Sequence, residues 1–253
     1  MIEALGIPWT AALGVLAAYF LGGIVKGGLG FGLPLVTISM LPLFVAVDLA
    51  IAVNAVILPF INLVQIHQAR RTGEALSRFW PLLATLALFM PLGIVIGTRI
   101  SAEALTLALG LAVMAFTAFQ WANPRLAIPA RWERRGAAVT GVMAGVSGGL
   151  LTINGPFFVL FLVGRRVERA VMMAGLGLFF LTTGLLLTIG LSITGTVTGP
   201  RALAALACLV PAFAGMALGD RLARRVEPQH FRTGVLAGLM ILGANITARG
   251  LGA

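Results

Sequence analysis

The sequence predicts an all-α polytopic membrane protein. About eight hydrophobic segments form two inverted repeats, each a Gly-rich broken or re-entrant hairpin followed by three spans. Three observations predict this. The 253 residues are 59% hydrophobic and only 10% charged, against roughly 25% charged in an ordinary soluble domain, and the mean hydropathy is +1.03. The apolar residues gather into runs close to the ~20 residues that cross a bilayer as a helix. The basic residues gather into particular loops between those runs. Such apolar content excludes a disordered chain, and a single cysteine, Cys208, excludes a disulfide scaffold. The net charge of +10 would suit nucleic acid. Basic loops beside anionic lipid account for it in a membrane protein, so the lipid bilayer is expected as partner and nucleic acid is not.

The apolar runs cover 8–26, 44–66, 79–98, 104–121, 137–163, 170–194, 202–219 and 233–248, numbered here one to eight. The N-terminus carries no basic residue before segment one, whereas a cleavable signal needs a positive n-region, so segment one is expected to stay in the mature protein. Trp9, Trp80 and Trp121 sit at segment ends, where amphipathic rings prefer the membrane interface. The longest polar stretch runs from Asn123 to Gly136. It reads as a basic cytoplasmic linker, 123–136, between a first membrane repeat, 1–122, and a second, 137–253.

Segment one runs into Gly-Gly-Ile-Val-Lys-Gly-Gly-Leu-Gly-Phe-Gly-Leu-Pro at 22–34, and segment five holds Gly-Val-Met-Ala-Gly-Val-Ser-Gly-Gly-Leu-Leu-Thr-Ile-Asn-Gly-Pro at 141–156. A glycine costs about 1 kcal/mol and a proline about 3 in a helix interior, so both segments should break. Broken backbone survives at membrane depth only where protein or a water-filled cavity satisfies it. Gly23, Gly27 and Gly30 match Gly141, Gly145 and Gly148 at a shift of 118, and Gly93 and Gly97 match Gly215 and Gly219 at a shift of 122. Paired interrupted segments in two halves point to a transporter binding site. Small residues four apart also pack helices closely, but packing requires neither the prolines nor the polar residues found here.

Loop charge orients the segments. Arg70, Arg71 and Arg78 follow segment two, and Arg125, Arg131, Arg134 and Arg135 follow segment four. Arg165, Arg166 and Arg169 follow segment five, and Arg221, Arg224, Arg225 and Arg232 follow segment seven. If all eight segments crossed once, these four loops would split evenly between the two faces. If segments one and five return to their side of entry, all four share the cytoplasmic face, as the positive-inside rule requires. Both termini then lie outside.

A break near mid-membrane presents helix ends to a ligand. A helix N-terminus carries about +0.5 charge with unpaired N–H groups and is a ready anion site. Pro34 and Pro156 suit the first turn of a new helix. Candidate substrate-binding residues are Lys26, Gly28, Gly30, Gly32 and Pro34 in the first break, and Ser147, Gly148, Gly149, Thr152, Asn154 and Pro156 in the second. Asn54, Thr182 and Thr183 are weaker, path-lining candidates; Asn62 and Gln65 share the polar face of segment two. Glu3, Glu74, Glu103, Glu133, Glu168, Glu227, Asp48 and Asp220 all map to ends or loops. Cation sites usually need a buried carboxylate, so an anion is the expected substrate. His67 and His230 flank loops. No metal cluster, catalytic triad or phosphate loop appears, so no cofactor, metal or enzymatic activity is expected.

At Gly27–Pro34, Gly145–Pro156, the Arg71-Thr72-Gly73 turn and the Gly93/Gly97 and Gly215/Gly219 pairs, the chain resembles the TauE/SafE family of sulfite exporters over nearly its whole length. The resemblance implies a multi-pass protein of the bacterial cytoplasmic membrane that moves sulfite, a sulfonate or a related small anion. The expectation is a secondary transporter working by alternating access around two broken hairpins. An anion channel is the nearest rival, and a membrane-embedded enzyme a more distant one.

Overall fold

The computed structural model describes residues 7–122, 128–223, 225 and 228–251, the side chains of 228–232 excepted. Ten α-helices and two short 3-10 turns make up the ordered elements among them. α1 (Trp9–Leu29) leads into α2 (Leu33–Met40), which the turn Leu41–Leu43 extends. α3 (Val47–Gln68), α4 (Thr72–Gly97) and α5 (Ala102–Ala122) follow. After the turn Ala130–Trp132 come α6 (Glu133–Leu151), α7 (Gly155–Gly164), α8 (Arg169–Ile193), α9 (Gly199–Ala223) and α10 (Pro228–Gly250).

Among the described residues six helices, α1, α3, α4, α5, α8 and α9, are long and apolar enough to cross a membrane. This corrects the expected eight. Segment five divides at Thr152–Asn154 into α6, which opens on the charged Glu133-Arg134-Arg135, and α7, which is only 10 residues long. Asn245, Thr247 and Arg249 make α10 more polar than the six. Large apolar side chains lie exposed along the long helices, among them Leu13, Leu88, Val210 and Ile241, as a lipid-facing surface requires. Trp9, Trp80 and Trp121 are likewise exposed.

The chain forms two compact units, and each draws on both halves of the sequence. The first comprises Met1–Asn54, Ile100–Pro124 and Gly195–Ala253; the second comprises Ala55–Arg99 and Arg125–Thr194. In the first unit α1 packs on α9 with their backbones nearly touching. A Cβ on Gly23 or Gly27 would collide with the carbonyl oxygens of Ala212 or Met216, and one on Gly215 or Gly219 with those of Phe20 or Ile24. α5 and α10 meet in the same way, Gly110 against Thr247 and Gly250 against Leu107. In the second unit α4 and α6 repeat the arrangement: Gly93 meets the Val146 carbonyl, Gly141 the Leu82 carbonyl and Gly149 the Met90 carbonyl.

These contacts explain why α1 runs unbroken through Gly22, Gly23, Gly27 and Gly28, and α6 through Gly141, Gly145, Gly148 and Gly149. The helical cost of each glycine is offset by dispersion contacts that only a missing Cβ allows. α1, with 21 residues, is about 31 Å long, a full span rather than a short arm. Each break is shorter than expected: Gly30–Gly32 in the first case, Thr152–Asn154 in the second.

Within each unit the broken pair folds back on itself. A Cβ on Gly14, near the start of α1, would lie 2.5 Å from the Phe44 ring, just beyond the turn that ends α2. Arg165, at the end of α7, binds Glu133 at the start of α6, and Ile128 donates its N–H to the Gly164 carbonyl at 2.9 Å. An aromatic cluster seats α7. Phe158 stacks on Phe179 with centroids 4.8 Å apart and meets Phe79 edge-on at 5.4 Å.

Glu133 also binds Arg78 of α4, so one carboxylate ties three helix ends together. Burial raises the Glu133 pKa, but the hydrogen bonds from Arg78 and Arg165 outweigh it and hold the group below its usual value. The stabilisation is therefore complete above about pH 4.3, the unfolded value, and is lost as pH falls through the lower folded value. Glu133→Gln should cost about 1–2 kcal/mol, between exposed and buried pairs, and should flatten that acid limb in thermal melts of detergent-solubilised protein. In the same assay Gly27→Ala should cost about 1–3 kcal/mol by overpacking. Gly238→Ala, where a Cβ would meet nothing within 4 Å, should be neutral or stabilising.

Candidate functional site

Each break stops a helix with a left-handed residue and restarts it on a proline. Gly30 closes α1 at φ 82°, its N–H bonding the Lys26 carbonyl at 2.7 Å. Gly32 then takes φ 101°. Both conformations are open to glycine and costly for other residues, so the two glycines make this turn possible. Thr152 closes α6 at φ 58°, its N–H on the Gly148 carbonyl at 2.9 Å. A β-branched residue in that region is a true outlier, costing of order 1–3 kcal/mol, and such outliers cluster at functional sites. Pro34 and Pro156 each occupy the first turn of the new helix, as the sequence predicted. Gly30 and Thr152, and Pro34 and Pro156, are both 122 apart. The breaks therefore share the register of the Gly93/Gly215 pair, and the 118-residue match lies one helical turn away from it.

The short helices start without caps. Gly32, before α2, has no side chain to offer, and Asn154, before α7, makes no capping bond although asparagine is among the best N-caps. The first N–H groups of both helices are thus not taken by a side-chain cap. Leu33, Pro34 and Leu35 are buried, as are Asn154 and Gly155. Lys26 lies one turn before the end of α1 and is 3% exposed.

The Asn154 side chain turns instead to α8, its Nδ2 donating to Thr183 Oγ1 at 2.8 Å. Gly148 makes room for it: a Cβ there would lie 2.7 Å from Asn154 Nδ2. In the first unit Thr37, on α2, places its hydroxyl 2.6 Å from Asn54 Oδ1 on α3. Both pairs are fully buried. Among the described residues, three buried side-chain atoms find no hydrogen-bond partner in the protein: Tyr19 Oη, Asn54 Nδ2 and Asn154 Oδ1. Leaving such an atom unpaired costs about 1–3 kcal/mol, so each needs a reason to be there.

The other candidates divide. Gly30, Gly32, Pro34, Thr152, Asn154 and Pro156 form the breaks. Gly28, Ser147, Gly148 and Gly149 lie inside helices rather than in the breaks, and Gly148 and Gly149 are also closely packed. Ser147 is half-buried, 3.5 Å from the Ala144 carbonyl. Asn54 and Thr183 are each held in a Thr–Asn pair, while Thr182 is half-buried. Gln65 serves as helix-to-helix glue, donating to the Met173 carbonyl at 2.9 Å, and Asn62 bonds back to the Leu58 carbonyl. His67 is exposed; the His230 side chain, Glu3, Arg125, Arg224 and Glu227 lie outside the described residues. Thr37 escaped the sequence reading. It lies 17 residues from Asn54 in an apolar stretch, and only the packing of α2 on α3 joins the two.

No group of three or more His, Cys, Asp or Glu among the described residues could hold a metal ion. No curated protein and no solved structure matches the chain. A family model, Sulfite exporter TauE/SafE, matches residues 15–246, a stretch that takes in both breaks, both Thr–Asn pairs and the glycines at which α1 meets α9 and α4 meets α6. A multi-span helical protein with that match is an integral membrane protein of a transporter family, and the chain belongs to the sulfite exporter TauE/SafE family.

Proposed function

We propose that the protein is a secondary transporter that exports a small anion, sulfite or an organosulfonate, across the cytoplasmic membrane by alternating access. The two broken hairpins carry the anion-binding groups. The observation that carries this reading is the pair of buried, uncapped helix starts at α2 and α7. Each offers N–H groups and the positive end of a helix dipole, and broken backbone inside a membrane persists where it lines a cavity or lies in protein. Lys26 would add an amine donor, positive when protonated, one turn from the first break. Gly30, Gly32, Pro34, Thr152, Asn154 and Pro156 shape the breaks. An inside-negative potential favours anion exit by about 2.3 kcal/mol per charge per 100 mV, so export needs no coupling ion.

The chain is read as two inverted repeats, 1–122 and 137–253, joined by a basic cytoplasmic linker, 123–136, with both termini outside. Contacts inside each unit support this. In the second unit the basic loops after α3, α5 and α7 meet, through Arg71 with Glu168 at 2.5 Å and through Arg78 and Arg165 with Glu133. That gathering agrees with α6–α7 returning to its side of entry. In the first unit the sparsely charged loops meet instead: Arg201 binds Asp48 at 2.7 Å, and Arg249 reaches the Pro42 carbonyl at 3.3 Å. A C-terminal tag is therefore expected to be labelled from outside intact cells; labelling only after permeabilisation would overturn the topology.

In proteoliposomes, labelled sulfite or methanesulfonate should flow toward the positive side when a potassium diffusion potential is imposed. Turnover at channel-like rates would favour a channel. No flux of any such anion would refute the assignment. Lys26→Ala should cut flux at least about tenfold, the size of one hydrogen bond to a charged group, while the melting temperature stays close to that of the parent. Unchanged flux would remove Lys26 from the site.

A further inference from the structure

We propose that the two buried Thr–Asn pairs, Thr37–Asn54 and Thr183–Asn154, are oxyanion-contacting donors, each threonine orienting the amide of its partner. This rests on the transport reading above and names the groups that would select the anion. Thr37 and Thr183 are new in this role, and Asn54 moves from the path to the ligand.

The argument starts from proton bookkeeping. The Thr37 hydroxyl has one proton and three oxygens within reach: Asn54 Oδ1 at 2.6 Å, the Leu33 carbonyl at 2.8 Å and the Pro34 carbonyl at 3.2 Å. Two oxygens 2.6 Å apart need a proton between them, so the hydroxyl donates to Asn54 Oδ1. That holds the amide in plane and leaves Nδ2 with its donors unspent, in a side chain that is 0% exposed. At the second pair Nδ2 of Asn154 points to Thr183 Oγ1 and Oδ1 is left over, in a side chain 1% exposed. Amide nitrogen and oxygen are assigned by their surroundings. A half-turn of this amide makes the Thr183 hydroxyl the donor and presents Nδ2 in its turn. Asn54 therefore offers its NH2 group as it stands, and Asn154 does so after that half-turn.

Position makes the ligand an anion. Asn154 is the residue before α7 and makes no capping bond to it, so its amide and the first turn of α7 share one break. Asn54 is anchored to Thr37, whose hydroxyl also lies against the first turn of α2. In each unit an unpaired buried amide thus accompanies an uncapped helix start. The same two residue types serve both units with their places exchanged: threonine on the short helix and asparagine on the long one in the first, asparagine at the break and threonine on the long helix in the second. Amide N–H groups fixed in direction suit the lone pairs of an oxyanion such as sulfite or a sulfonate.

The test compares substitutions of equal shape. In proteoliposomes, Thr37→Val and Thr183→Val should each raise the KM for sulfite about tenfold with kcat little changed. Thr37→Ser and Thr183→Ser, which keep the hydroxyl, should restore it. Asn54→Asp, which replaces the donor by a carboxylate, should abolish saturable uptake. Should that variant fail to fold, the Val/Ser comparison carries the result. A purely structural role would instead lower the melting temperature of the valine variants and leave KM unchanged, and that outcome overturns the proposal. If the parent protein moves sulfite and the valine variants keep its KM, the pairs are not donors although the transport reading stands. If the parent shows neither flux nor a thermal shift with sulfite or methanesulfonate, both readings fall together.

Discussion

Backbone contact at glycine is the constraint on which the other features depend. Inside a bilayer the lipid tails are as apolar as leucine, so helices gain little by hiding apolar surface from them. Association rests on close packing and on interhelical hydrogen bonds. In the first unit α1 and α9 approach until glycines on each face the carbonyl oxygens of the other, and in the second α4 and α6 do the same. That closeness keeps two glycine-rich helices intact. It also fixes where they stop, because Gly30 and Thr152 lie just past the last packed turn.

Once the long helices are fixed, the short ones follow. α2 and α7 are 8 and 10 residues long and too short to cross. Their apolar side chains must be covered by protein. Gly22 receives Leu33 and Thr37 against α1, and the cluster of Phe79, Phe158, Phe179 and Phe180 encloses the start of α7. Burial of a helix start without a cap is costly unless something else meets the N–H groups. Here the asparagine best placed to cap α7 is committed to Thr183, and the residue that would cap α2 is a glycine. The starts of α1, α4, α6 and α8 also lack side-chain caps; those of α2 and α7 differ in being buried, at the two points where the backbone is broken.

Charge is sorted as strictly as shape. Glu133 ties together Arg78 and Arg165 at the ends of three helices of the second unit, while Asp48 and Arg201 pair in the first. The carboxylates among the described residues lie at helix ends and loops, and the buried ionisable amine among them is Lys26. A buried amine and two buried helix starts, with carboxylates kept at a distance, are the features on which the proposed anion site rests.

Several elements were legible in the linear chain because they depend on local chemistry. Runs of apolar residues marked α3, α4, α5, α8 and α9, since a lipid solvent demands continuous apolar length. Pro34 and Pro156 marked the helix restarts, because proline lacks the N–H that a helix interior needs. The glycine clusters were also visible, but their two uses were not separable by composition. A glycine that admits a neighbouring backbone and one that turns the chain are the same letter, and only the partner helix distinguishes Gly27 from Gly30. The pairing of α1 with α9 and of α4 with α6 across the halves of the chain, and the meeting of Thr37 with Asn54 and of Asn154 with Thr183, were decided by tertiary structure. They join residues far apart in sequence through contacts that no periodicity encodes.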